Sequence, residues 1–186
     1  MLAWIGGQAR AATTRFTEAS RLEVIASRLP VPEWPDRPLL LTAVDTLDGS
    51  FVSWGRAAGV PLPVAVAASC AVPWVYPLVS IGGRRYMDGG VRSSTNADLA
   101  RGHDLVVILA PMGATPATSR ALEEEVSGLR AGGSRVEVVV PDASALEQMG
   151  SNPLDPARRA GAAAAGLSQA PSVAASLTWI RGRLPV

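Results

Sequence analysis

Between Leu105 and Val140 the sequence holds two segments that read as strands, the first of them buried, and between them one that reads as a helix. Leu105-Val106-Val107-Ile108-Leu109-Ala110 is an unbroken apolar run of strand length, and Arg135 to Val140 is a second strand. From Ser119 to Arg130, Leu122, Val126 and Leu129 fall on one helical face. Strand, helix and strand in that order imply parallel pairing through a right-handed crossover, and so an α/β fold. At 186 residues, with no linker and no repeat period, the chain is expected to form a single domain over residues 1–186.

Upstream, the pattern is one of hairpins. Leu39-Leu40-Leu41-Thr42-Ala43-Val44 reads as a buried strand, Asp48-Gly49 as a turn, and Phe51-Val52-Ser53-Trp54 as the return strand nearer the sheet edge. Ile81-Gly82-Gly83-Arg84 reads as a second, two-residue hairpin. Thr17 to Leu29 has helical spacing at Leu22, Ile25, Ala26 and Leu29 and stops at Pro30. Pro63 to Ala71 is a second helix, with Pro63 tolerated in its first turn and Pro73 beyond its end. Asn96 to Gly102 is expected to be a short helix with Asn96 as its cap. Asp155 to Gln169 and Pro171 to Trp179 read as two helices that pack on a sheet face. Met1 to Arg10 is short, apolar and unassigned.

Composition removes several functions. A net charge of +1, with arginine scattered along the chain in no basic run and no lysine, makes no surface for tracking nucleic acid. The one cysteine, Cys70, excludes an internal disulfide, so the fold rests on its core. One Cys and one His, His103, neither suggest a Cys-His dyad nor fill a zinc site, and no metal is expected. No G-x-G-x-x-G or P-loop follows a predicted strand, which disfavours a nucleotide-binding domain, and no cofactor is expected. No apolar run reaches the ~20 residues of a spanning helix, and Met1 to Gly7, though apolar, lacks the basic n-region and cleavage site of a signal peptide, so a cytoplasmic protein is expected.

The chemistry centres on Arg84-Arg85-Tyr86-Met87-Asp88-Gly89-Gly90-Val91. An acid at a strand end, followed by two glycines, puts a carboxylate on a tight turn where a reacting group can meet it. The glycines permit positive φ, leave room for substrate and let backbone N–H groups fix the carboxylate. Alone, Asp-Gly-Gly is also an ordinary turn sequence. Its surroundings carry more weight. Ala68-Ser69-Cys70-Ala71-Val72-Pro73, the apolar loop Trp74-Val75-Tyr76-Pro77, the hairpin from Ile81, Asp88-Gly89-Gly90, Asn96 and the strand from Leu105 occur in an order and spacing that resemble the C-terminal half of the patatin-like phospholipases, over roughly Leu39 to Pro111.

The resemblance implies a three-layer α/β/α sandwich with a mainly parallel sheet and added hairpins. It also implies a lipid acyl hydrolase with a Ser-Asp dyad, in which Asp88 is the base, Ser69 is structural, and lipid or another ester is the substrate. The loop bearing Trp74 and Tyr76 would then be a wall of the acyl-chain entrance as well as a lid on the core, and contact with membrane surfaces would be transient. One departure stands out. The family's nucleophile is the serine of G-x-S-x-G, and neither that motif nor a glycine-rich oxyanion loop occurs here. The expectation is an N-terminally truncated domain, missing its N-terminal strands and inactive alone. The alternative is a non-catalytic remnant or lipid-binding module.

Overall fold

The computed structural model describes residues 1–111, 116–152 and 154–180. The chain forms two compact units, Met1–Asn96 and Ala97–Val186.

In the first unit a four-stranded sheet has the order β2-β1-β4-β3. Its strands are β1 (Leu41–Asp45), β2 (Phe51–Trp54), β3 (Val79–Ile81) and β4 (Arg84–Asp88). Every pairing is antiparallel, and β1 is central with β2 at the edge, as the hairpin reading requires. Gly82 and Gly83 both have positive φ, 58° and 78°, which the two-residue turn between β3 and β4 demands. Leu39 and Leu40 fall outside β1 and are exposed.

Three helices clothe this sheet: α1 (Leu2–Ala11), α2 (Glu18–Arg28) and α3 (Leu62–Ser69). Because side chains alternate along a strand, Ala43, Trp54, Val79 and Tyr86 face α2 and α3, while Val44 and Met87 face Leu2, Ile5 and Ala9 of α1. Gly6 lies so close to Thr46 that an added Cβ would stand 2.4 Å from the Thr46 carbonyl oxygen. That close approach explains a glycine inside α1, a helix with no polar stripe to reveal it in the sequence. Thr17 caps α2 by accepting from the Ser20 N–H at 3.2 Å.

In the second unit β5 (Leu105–Leu109) and β6 (Arg135–Val139) pair in parallel, joined by α4 (Pro116–Ala131). Val106, Ile108 and Val136 bury against Val126 and Leu129 of α4. On the other face of β5, Val107 and Leu109 are 38% and 70% exposed. Two helices follow, α5 (Ala143–Met149) and α6 (Arg159–Ser176). The second runs straight through Pro171, where the reading from sequence placed a break. Pro171 is exposed, so the carbonyl one turn earlier that loses its N–H partner can be satisfied by water.

The class is therefore mixed α/β. The larger sheet is antiparallel throughout, and parallel pairing is confined to β5 and β6, which corrects the expectation of a mainly parallel sheet. Hairpins, each closed by a glycine turn, outnumber crossover units among the described strands.

Leu129 is 1% exposed and sits at the centre of the second unit's core. Leu129→Ala is expected to lower the stability of that unit by about 3 kcal/mol, read as a shift in its urea midpoint at unchanged slope.

Candidate active site

The site is built at the end of β4. Asp88 pairs with Ala43 of β1, and its backbone N–H donates to the Ala71 carbonyl just beyond α3, at 3.0 Å. The strand end is thereby fastened to the helix end. Its carboxylate turns back and accepts the Gly90 N–H at 2.7 Å, capping the short 3-10 turn Gly89–Val91.

The two glycines act through space. Neither has positive φ, contrary to the expectation from sequence. A Cβ on Gly89 would stand 2.2 Å from Thr42 Oγ1 and 2.8 Å from the Thr42 carbonyl carbon, and one on Gly90 would stand 2.9 Å from Asp88 Oδ1. Gly89 is thus pressed against β1, and Gly90 leaves the carboxylate room to receive its N–H.

Asn96 also departs from its expected role. It takes a left-handed conformation, φ 47°, and its Nδ2 donates back to the Gly89 carbonyl at 3.2 Å and the Ser93 carbonyl at 2.9 Å. It therefore pins the loop that follows the Asp88 turn, while the segment after it is a 3-10 turn over Ala97–Ala100.

Burial pushes the Asp88 carboxyl above the usual aspartate range, and the Gly90 N–H only partly offsets this. Asp48, at the β1–β2 turn, moves the other way, to about 2, chiefly through its hydrogen bonds from Ser50 and with help from Arg84. Of these two acids, Asp88 is the one suited to hold a proton during a reaction.

Cys70 lies within electrostatic reach of Asp88. Burial first, and the Asp88 charge second, push its thiol up. That keeps it protonated and a poor nucleophile at neutral pH.

The apolar loop contains two different environments. Trp74 has φ 64° and is 55% exposed, so an indole is presented to solvent from a left-handed backbone. Tyr76 is partly buried, its ring covered by the Arg21 guanidinium at 3.8 Å and flanked by Phe16 at 6.0 Å. Arg21 itself is buried, and its Nε has no hydrogen-bond partner. Sequence reasoning passed over Arg21. The one signal for it was a cation within an apolar helix face, and its partner ring lies 55 residues away.

Among the described residues no group of three or more His, Cys, Asp or Glu is placed to hold a metal ion, and no helix is long and apolar enough to cross a membrane.

A strand-end acid, desolvated and fixed by backbone, beside the end of a small-residue helix, defines an α/β protein with a candidate proton-accepting site. Residues 10–101 match the family model of the patatin-like phospholipases. The match covers Asp88, its glycine turn, α3 and the Trp74 loop. No curated protein matches the chain.

Two outcomes follow. Because the Thr42 backbone blocks a Cβ at Gly89, Gly89→Ala is expected to cost about 2 kcal/mol or more, and Thr42→Ala should not rescue it, as urea melts of the single and double variants would show. The raised carboxyl of Asp88 opposes folding once it ionises, so between the unfolded value near 3.8 and the raised folded value the folded state holds the extra proton, and this contribution is lost as pH rises. Asp88→Asn keeps the acceptor for Gly90 and should raise Tm at pH 7, with the gain vanishing below about pH 4.

Proposed function

We propose that this chain carries the acid of a Ser-Asp dyad in a patatin-like lipid acyl hydrolase, with Asp88 as the proton acceptor. The observation that carries this reading is the Asp88 carboxylate, desolvated and held at the strand end by the Gly90 N–H. In the reaction Asp88 takes the proton from a serine hydroxyl as the serine oxygen bonds to the ester carbonyl carbon. The tetrahedral adduct collapses to an acyl-serine, and the departing alkoxide recovers the proton from Asp88. Water, deprotonated by Asp88 in turn, then releases the carboxylic acid and restores the serine.

The serine is not supplied by these 186 residues in G-x-S-x-G form. We infer that it comes from another segment or another chain, which also brings the oxyanion donors, and that the family's three-layer α/β/α sandwich is the architecture of the complete domain. The exposed Val107 of β5 suits a sheet that expects further cover. Trp74, presented to solvent, is the contact for the acyl chain and for transient docking on a membrane surface, with Tyr76 beneath Arg21 as support for that loop. On this reading the enzyme works on phospholipid or other lipid esters from the cytoplasmic side. The lack of the serine motif favours a second reading, a non-catalytic lipid-binding protein.

The test is hydrolysis of a p-nitrophenyl ester by the chain alone and by the chain fused behind a patatin-type segment that bears G-x-S-x-G. The expected result is no turnover alone and turnover in the fusion, reduced about 10³-fold by Asp88→Ala. Turnover in the fusion that is indifferent to Asp88→Ala would refute the assignment, and bound lipid with no turnover in either form would favour the second reading.

A further inference from the structure

A groove of about 530 Å³ opens beyond the C-terminal ends of β5 and β6, in the second unit. This is where open α/β sheets place their ligands, and the volume lies within the range of about 300–1,000 Å³ found for small-molecule sites. Its walls come from the ends of the strands, from Ala145 and Met149 of α5, and from α6, which presents Ala162, Gly166, Ala170 and Ala174 at a spacing of four. Small side chains at that spacing fill little of the space between α6 and the strand ends, and a trough is left along that line.

The trough offers almost no polar group to an occupant. Gln169 is the one polar side chain on its wall, and both ends of its amide are in use: Nε2 donates to the Val140 carbonyl at 2.7 Å, and Oε1 accepts the Asp142 N–H at 3.2 Å. An occupant with hydrogen-bonding groups along its length would leave them unsatisfied, whereas a hydrocarbon chain loses nothing.

One end of the trough is different. There Met149 and Ala162 also line a neighbouring cavity of about 380 Å³, whose wall includes Arg158 and Arg159. Both arginines are exposed, and among the described residues neither guanidinium is in a hydrogen bond or ion pair. The carboxylate beside them, Asp155, is turned onto the N–H of Ala157 at 2.9 Å. An apolar trough that ends at two uncommitted guanidinium groups has the polarity of an anionic amphiphile.

We propose that residues 97–180 bind a single long-chain carboxylate, with its alkyl chain along α6 in the trough and its carboxylate at Arg158 and Arg159. The site shares no residue with the surroundings of Asp88, and the proposal stands whether or not Asp88 serves as a base.

The test is a titration of the full chain with cis-parinaric acid, followed by displacement with palmitate and, separately, with 1-hexadecanol. Saturable one-to-one binding that palmitate displaces is expected. Gly166 is the position at which to close the trough, because a Cβ there would meet nothing within 4 Å, and a larger side chain should enter the groove without disturbing α6. Gly166→Leu, and independently Ala170→Leu, should weaken parinarate binding at least tenfold, with helix content and Tm not lowered. The double variant Arg158→Ala, Arg159→Ala should weaken palmitate about tenfold and leave hexadecanol unchanged, and Asp88→Ala should bind as the unaltered chain does. Undiminished binding in both folded leucine variants, or equal loss of palmitate and hexadecanol in the arginine variant, would overturn the proposal, as would the absence of displaceable binding.

Discussion

The end of β4 is held from three directions, and the candidate site depends on that restraint. The Asp88 N–H is tied to the Ala71 carbonyl, Gly89 is pressed against Thr42 of β1, and Asn96 binds the Gly89 carbonyl from the loop beyond. Each contact is made by backbone or to backbone, so the position of the carboxylate follows from chain geometry and not from the rotamers of neighbouring side chains. A reacting group held this way needs little reorganisation when the proton moves. The small residues Ala65, Ala67, Ala68 and Ala71, all fully buried or nearly so, serve the same end, since they let α3 approach the sheet closely enough for the Ala71 carbonyl just beyond it to reach Asp88.

Charge is divided across the first unit in a way that sets Asp88 apart. At the far end of β4, Arg84 is paired with both Asp45 and Asp48, and the Asp45 carboxylate also receives the Leu47 N–H at 2.8 Å. Through Arg84 those carboxylates join the two hairpins. Among the described residues Asp88 has no such partner: the group that offsets its burial is the neutral Gly90 N–H. The buried Arg21 is turned onto the face of Tyr76, where its charge meets a π system instead of a carboxylate. Arg21 and Arg28 act weakly on Cys70, against the stronger effects of burial and of Asp88.

Much of this arrangement was legible in the residues, for identifiable reasons. Hairpins declare themselves through glycines at turns: Asp48-Gly49 placed β1 and β2 within two residues of their bounds, and Gly82-Gly83 placed the turn between β3 and β4. The β5, α4 and β6 unit was legible because apolar runs of strand length differ in period from the helix between them. Helix α1 was not, since Gly6 and Gly7 lower helix propensity and the reason for Gly6, contact with Thr46, is tertiary. Helix α5 went unseen because seven residues are too few to show a period, and α6 was divided at Pro171 because an exposed proline inside a helix leaves no trace in sequence of how its cost is met. At the site, the identity of Asp88 came from motif order, while the roles of its glycines came out differently: the pattern signals flexibility, and the structure uses the missing Cβ.

The measurement that bears most directly on this account is the ionisation of Asp88 itself, followed by the carboxyl ¹³C shift of the labelled chain through a pH titration and assigned with Asp88→Asn. A proton-accepting aspartate in a desolvated strand-end turn is expected to titrate above the ordinary value of about 3.8. Titration at or below that value would mark Asp88 as a solvated turn cap of the Asp48 kind, and the assignment of Asp88 as the base would fall.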